Sequence, residues 1–320
     1  MVDRIIGAEP RPPTVRRITV DEGSAGQRLD NFLLRELKGV PKTHVYRVIR
    51  SGEVRLNKGR AAADTRLALG DEVRVPPVRM AEPRSDAAVP AREFMVLFED
   101  DHLLAIDKPA GVAVHGGSGV AFGVIEQLRR SRPDAKFLEL VHRLDKETSG
   151  VLLLAKKRSA LTQVQNQFRE RGTTKIYSAL VNGAWPTSKK VIDVALLKTL
   201  DAQGERHVRA VSAASDDARR SITLVRVVCP FAAHTLLDVT LKTGRTHQIR
   251  VHLAHEGHAI VGDPKYGDFA LNRQMARGEH RFARMFLHAR QLAFDHPATA
   301  QRVQLEAALP TECKRLLESL

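Results

Sequence analysis

Residues 141–157 read V-H-R-L-D-K-E-T-S-G-V-L-L-L-A-K-K, and no other stretch so narrows what the chain can build. Val151 to Ala155 is a short apolar run between a glycine and two lysines, the pattern of a strand buried on both faces. Just before it, His142, Arg143, Leu144 and Asp145 gather an imidazole, a guanidinium and a carboxylate into four residues. Asp145 therefore belongs on a loop tethered at one end by the core. Thr148 and Ser149 suit bonds to nearby backbone groups and Gly150 suits a tight turn, which together would hold that carboxylate in place. An isolated R-L-D tripeptide would be no more than a solvated turn with a surface ion pair, worth little. The rest of the chain decides between the two readings.

With 320 residues there is room for two domains, or for one large domain and a small module. Two cysteines, Cys229 and Cys313, are too few for a disulfide framework or a four-cysteine zinc site, and a reducing compartment fits them best. Cys229 follows two valines and reads as core filler. No run approaches the ~20 apolar residues that span a bilayer, and the N-terminus lacks a signal-peptide core, so a cytoplasmic protein is expected. A net charge of +14 and a pI near 10.2 call for a polyanionic partner. Nucleic acid ranks ahead of membrane because no basic amphipathic helix carries the charge. Only 5% of residues are aromatic, which argues against a stacking platform of the single-strand-binding kind.

The first 80 residues carry +6 of that charge. Gln27 to Leu37 sets Leu29, Phe32, Leu33 and Leu37 on one helical face. Pro41 opens a second helix with Val45, Val48 and Ile49 inward and Lys42, Arg47 and Arg50 left for solvent or phosphate; Gly52 is placed to end it. Short strands are expected at Val54–Asn57 and Glu72–Val75. From Pro76 to Arg92 four prolines and no apolar period mark a linker, with a domain boundary at about Ser85.

Beyond the linker, Phe94 to Phe98 and Leu103 to Ile106 read as strands. The glycine-rich Gly116 to Gly123 lacks the lysine and the spacing of a nucleotide-binding loop. Ser159 to Glu170 reads as a helix with Gly172 as its stop, and Thr174 to Val181 as a strand carrying Tyr177, which alone would be core or rim. Residues 188–220 resemble a surface hairpin without functional content. Ser221–Val228 and Leu236–Leu241 alternate as strands, and Thr246 is placed to cap a helix with Ile249 and Leu253 inward. His247, His252, His255 and His258 lack metal-ligand spacing and are expected to face solvent or RNA. The segment from Val261 onward, with G-D-P-K-Y-G, strands at Leu287–Phe294 and Val303–Leu305 and a helix at Glu312–Leu320, shows no chemistry of its own.

The nine residues H-R-L-D-K-E-T-S-G resemble the catalytic motif of the pseudouridine synthases that act on large-subunit ribosomal RNA. The likeness extends from about Asp21 to the C-terminus. Lys108 to His115 matches a K-P-x-G-V-x-V-H motif, Lys175 to Tyr177 a K-x-Y motif, and K-T-G-R-T-H-Q-I-R-V-H a third one beginning at Lys242. The two basic helices are similar to an S-four-type RNA-binding domain.

That resemblance implies an α+β fold, a mixed and mostly antiparallel central sheet with flanking helices, preceded by a small α/β RNA-binding domain. It divides the chain into a flexible basic tail (1–17), the RNA-binding domain with its linker (18–84) and a catalytic domain (85–320). It implies Asp145 as the catalytic carboxylate, Arg245 as the arginine that pairs with it, and Tyr177 as the ring under the target base and a candidate acceptor of its carbon 5 proton. Arg143 would fill the gap left by a flipped nucleotide. Lys108, His142 and Leu144 would contribute to substrate binding, together with Lys42, Arg47 and Arg50 on the N-terminal module. Isomerisation of uridine gains and loses no group, so neither metal nor cofactor is implied. The implied partner is ribosomal RNA of the large subunit or its precursor, bound by a monomer without a membrane. A non-enzymatic RNA-binding or assembly protein would explain the basic module alone, and a metal-dependent RNA hydrolase would need ligands the sequence does not offer.

Overall fold

The computed structural model describes residues 14–37, 39–78, 89–116, 122–200 and 206–320. The chain divides into two compact units, Met1–Ala88 and Val89–Leu320. Most of the expected tail and linker, and the middle of the glycine-rich loop, lie outside the described residues.

The first unit contains β1 (Arg16–Thr19), α1 (Leu29–Glu36), α2 (Lys42–Arg50), β2 (Arg55–Leu56) and β3 (Glu72–Val75). Its three strands form an antiparallel sheet in the order β1-β3-β2. Leu29, Phe32 and Leu33 from α1 and Val45, Val48 and Ile49 from α2 close on Val73 and Val75 in one core, the face that the helical spacing marks out. Gly52 ends α2 with φ +73°. The stretch expected as tail enters β1 at Arg16 and Arg17. Ile18 lies beside Val73 and Arg17 beside Arg74, so pairing with β3 creates a strand that two arginines and one isoleucine do not announce.

The second unit runs β4 (Val96–Glu99), β5 (Leu103–Lys108), α3 (Val124–Ser131), β6 (Glu139–Leu140), β7 (Ser149–Ala155), α4 (Arg158–Glu170), β8 (Thr174–Asn182), β9 (Val191–Asp193), β10 (Ala195–Leu200), β11 (Arg206–Val211), β12 (Ile222–Pro230), β13 (His234–Leu241), α5 (Gln248–His255), α6 (Phe269–Arg277), β14 (Leu287–Asp295), β15 (Arg302–Glu306) and α7 (Thr311–Glu318). The main sheet has the order β4-β5-β7-β14-β8-β13-β12-β9, with β6 paired to β7 and β15 to β14; β10 and β11 form a separate hairpin. Every pair is antiparallel except β7 with β14. The architecture is α+β, with a mixed and mostly antiparallel sheet.

All seven residues of β7 are buried. Leu152 and Leu154 face one core with Leu104, Ile106, Leu128 of α3 and Leu316 of α7. Val151, Leu153 and Ala155 face another with Leu161 and Val164 of α4 and Phe294 of β14. Burial on both sides explains the unbroken apolar run. The lone parallel contact sits at the start of β7, where His288 and Ala289 lie beside Ser149 and Gly150. There Arg284 Nη2 donates to Ser149 Oγ at 2.7 Å, and that oxygen lies 2.9 Å from His288 Nδ1, so the strand is locked in register just after the Asp145 loop.

Gly150 has φ +109°, and a Cβ there would stand 2.3 Å from the Ala289 carbonyl oxygen. Its role is therefore close approach of two strands, beyond the turn that the sequence suggests. Gly150→Ala combines left-handed strain with a backbone clash and is expected to lower stability by about 2–4 kcal/mol, read as a fall in the urea midpoint of the full chain.

Candidate active site

The Asp145 loop is held from three directions. Its own turn closes through the Thr148 N–H, which donates to the Asp145 carbonyl at 3.1 Å. From β5, the fully buried Lys108 ammonium donates to the carbonyls of Pro109 and Val112, both at 2.8 Å, and of Lys146 at 3.1 Å. Burial pushes that ammonium down to about 7, against the opposing pull of Glu147 and, more weakly, Asp145. From the far side, the His142 ring stacks on Phe168 of α4 with centroids 5.2 Å apart, and its Nε2 accepts the Leu153 N–H at 3.2 Å. Burial pushes the His142 imidazole down to about 4, so it is neutral and suited to accept.

Among the described residues the Asp145 side chain, 28% exposed, meets one guanidinium, that of Arg250. Arg250 Nη1 donates to Asp145 Oδ2 at 3.2 Å, while Nε and Nη2 of the same guanidinium donate to Asp263 Oδ2 and Oδ1, each at 2.8 Å. Asp263 is fully buried. Burial alone would raise its carboxyl, but Arg250 and the N–H groups of Tyr266 and Lys265 hold it below the usual range. The guanidinium carbon also lies 5.1 Å from the Tyr266 ring centroid. His247 completes the group: its Nδ1 is 2.9 Å from the Tyr266 hydroxyl and its Nε2 3.9 Å from Asp145 Oδ1. Burial lowers the His247 imidazole, with Asp145 opposing that shift and Arg250 adding to it.

Arg250 and His247 point inward because of how α5 begins. The Gln248 side chain turns back, so that Oε1 accepts from the Arg245 N–H at 3.0 Å and from Thr243 Oγ1 at 2.8 Å. His247, at φ +53°, then serves as the N-cap in the left-handed region. Thr246 does not cap the helix. Arg245 is left on the exposed side of this turn, and the cation on Asp145 is Arg250, two residues inside the helix. Asp263 is set by Gly262, whose φ of +76° brings the backbone where a Cβ would stand 1.9 Å from the Arg284 carbonyl oxygen.

Tyr177 lies on β8 and is 8% exposed, in the same core cluster as Leu144 and Ala179. Burial, and secondarily the charge of Asp145, raises its phenol well above the ordinary value. On β14 the register slips between His288 and Gln291, opposite Tyr177. Arg143, two residues before Asp145, is exposed. Lys108, His142 and Leu144, expected to bind substrate, instead brace the loop from within. On the first unit Lys42, Arg47 and Arg50 are all exposed along α2.

Further expectations are corrected here. His252 is fully buried, its ring nitrogens 2.9 Å from Thr223 Oγ1 and 3.0 Å from the Val194 carbonyl, because it faces the sheet beneath α5. The G-D-P-K-Y-G segment, read as carrying no chemistry, supplies Asp263 and Tyr266. The β10–β11 hairpin, read as uninformative, packs Leu196 and Val208 against Val251 of α5 and Tyr266. The signal for Arg250 was present in Q-I-R-V-H, since a helix whose inner face holds Ile249 and Leu253 also turns position 250 toward the core. Among the described residues no three His, Cys, Asp or Glu side chains come together as metal ligands, and no helix is long and apolar enough to cross a membrane.

Comparison with known proteins bears on the whole of this arrangement. A family model described as RNA pseudouridylate synthase matches residues 102–255, and one described as S4 domain matches residues 27–73. The chain is 48% identical over 314 residues to ribosomal large subunit pseudouridine synthase C of Escherichia coli (strain K12), covering 96% of this chain and 97% of that one. The protein of the same name from Yersinia pestis is 49% identical over 316 residues, with 96% of each chain covered. Among solved structures, human RNA pseudouridylate synthase domain containing 4 matches with a TM-score of 0.57 at 29% identity, over 70% of this chain and 92% of that one. On this likeness, which spans the Asp145 loop and the Arg250 helix alike, the chain belongs to the RNA pseudouridylate synthases, a family of isomerases.

Proposed function

We propose that this enzyme converts uridines of large-subunit ribosomal RNA to pseudouridine, with Asp145 as its catalytic carboxylate. The observation that carries the assignment is the Arg250 contact, 3.2 Å from Asp145 Oδ2 in a half-buried setting. A guanidinium at that distance makes a charge-assisted hydrogen bond that fixes where the carboxylate points.

The reaction breaks the bond between uracil N1 and ribose carbon 1, turns the base, and forms a bond from its carbon 5 to the same carbon. The carbon 5 proton leaves and N1 gains one, so the formula is unchanged and no cofactor takes part. Asp145 acts at the ribose as nucleophile or electrostatic stabiliser of positive charge developing there, a role common for carboxylates at glycosidic carbons. Tyr177 packs under the uracil. A phenol held in its neutral form is a platform for the base rather than an acceptor of the carbon 5 proton. Arg143 fills the space from which the nucleotide is flipped. Arg250, with Asp263 behind it, takes the role that the resemblance assigns to Arg245, and Arg245 becomes a phosphate contact on the exposed turn.

The N-terminal unit serves as the RNA anchor through Lys42, Arg47 and Arg50, ahead of a catalytic unit that begins near residue 85. Phosphate contacts of that kind position an RNA without reading its sequence. A monomer acting on ribosomal RNA in the cytoplasm fits the +14 charge and the two unpaired cysteines.

Asp145→Asn is expected to abolish pseudouridine formation while RNA binding stays within a few-fold; turnover by that variant, measured on a ribosomal RNA substrate, would refute the role. The two arginines separate cleanly. Arg250→Gln removes the guanidinium that both carboxylates share and should cut turnover by at least about a hundred-fold, whereas Arg245→Gln should raise the RNA concentration needed and leave maximal turnover nearly intact. Replacing Lys42, Arg47 and Arg50 together by Gln should lower the slope of log affinity against log salt by about 2, with turnover at saturating RNA unchanged.

A further inference from the structure

Helix α2 presents Lys42, Tyr46 and Arg50 four residues apart, on one stripe of its surface. All three are exposed, and Tyr46, at 37%, is the aromatic ring among them. That ring is anchored. Its hydroxyl donates to Asp30 Oδ2 at 3.1 Å, and Asp30, only 3% exposed, is held in turn by Arg28 Nε and Nη2 at 3.1 and 2.7 Å and by the Asn31 N–H at 2.8 Å. The phenol is therefore fixed at its polar end while the residue remains 37% exposed. Arg47, the next residue, shares its charge with Glu53 at 3.2 Å. Among the described residues Lys42 and Arg50 make no ion pair. Lys42 and Arg50 leave the helix about 12 Å apart, and their long side chains can close on phosphates to either side of the ring.

Phosphate anchoring needs only the cations. A rigid, outward ring between two available cations matches a nucleotide whose base lies flat on the ring. We propose that Tyr46 is a stacking platform for an unpaired nucleobase of the bound RNA, with Lys42 and Arg50 holding the flanking phosphates. The proposal rests on the reading of the N-terminal unit as the RNA anchor and adds to it a contact made to a base. It also bounds the argument from low aromatic content, since one ring held in place is enough for one base.

The test compares the full chain's affinity for an oligoadenylate of about twelve nucleotides with its affinity for an abasic strand of the same length and charge. The wild type should prefer the base-bearing strand by roughly five- to a hundred-fold. Tyr46→Leu should lose most of that preference with an unchanged salt slope, while Tyr46→Phe, which keeps the ring and drops the bond to Asp30, should retain it. Binding through the catalytic unit is common to all variants and cancels. Equal loss in Tyr46→Leu and Tyr46→Phe would make the hydroxyl a structural strut and overturn the proposal, as would a wild type without preference or a Tyr46→Leu variant that keeps it. Photo-crosslinking of a 5-iodouridine oligomer to the wild type needs no variant to fold; an adduct on Tyr46 is expected, and its absence counts against stacking. Arg50→Gln reports on the anchor separately. A slope lowered by about 0.7 on both strands supports the anchor even if stacking fails, and an unchanged slope removes the anchor itself.

Discussion

A single buried guanidinium shared by two carboxylates is what the catalytic unit is built to hold. Arg250 gives two of its donors to Asp263 and one to Asp145. The Asp263 pair is bidentate and fully buried, so it fixes the plane of the guanidinium before any RNA arrives. Burying such ions is costly, and a purely structural site would do as well with apolar residues. The arrangement makes sense where the position of one carboxylate must be fixed by a partner that is itself held in place. One cation facing two anions leaves a negative balance, and His247, poised near the Asp145 oxygen and bonded to Tyr266, lies where that imbalance is felt.

The sheet supplies the rest of the rigidity. β7 is buried on both faces and gripped by β5 on one side and β14 on the other, so the loop that precedes it has a fixed point of departure. Lys108 then ties the far side of the loop to three carbonyls. This is an unusual use of a lysine, since its positive charge is surrendered to backbone dipoles rather than to an anion. Lys42, the one lysine of α2, is by contrast exposed and makes no ion pair among the described residues.

The parts of the structure legible in the sequence were those set by periodicity and by local turn chemistry. The helical faces of α1 and α2, the apolar run of β7 and the loop carrying Asp145 all follow from residues close together in the chain. What was not legible was partnership across distance. Arg245 and Arg250 lie five residues apart in one motif, and which of them faces Asp145 depends on where α5 begins, which the backward turn of the Gln248 side chain helps to set. Asp263 and Tyr266 sit in a segment with no pattern of its own, and their role appears only once α5 is laid against them. β1 was missed for a related reason, because its conformation comes from its neighbour and not from its own residues. His252 shows the limit in reverse: a polar residue among other histidines, turned by α5 toward the sheet and satisfied there by Thr223 and Val194.

The contact between Gly150 and Ala289 joins segments 139 residues apart. Pairings so remote in sequence form late and slowly, since a long loop must close before they contribute. During synthesis the Asp145 loop therefore emerges well before the strand that locks it, and β7 gains its fixed register only once β14 has been made.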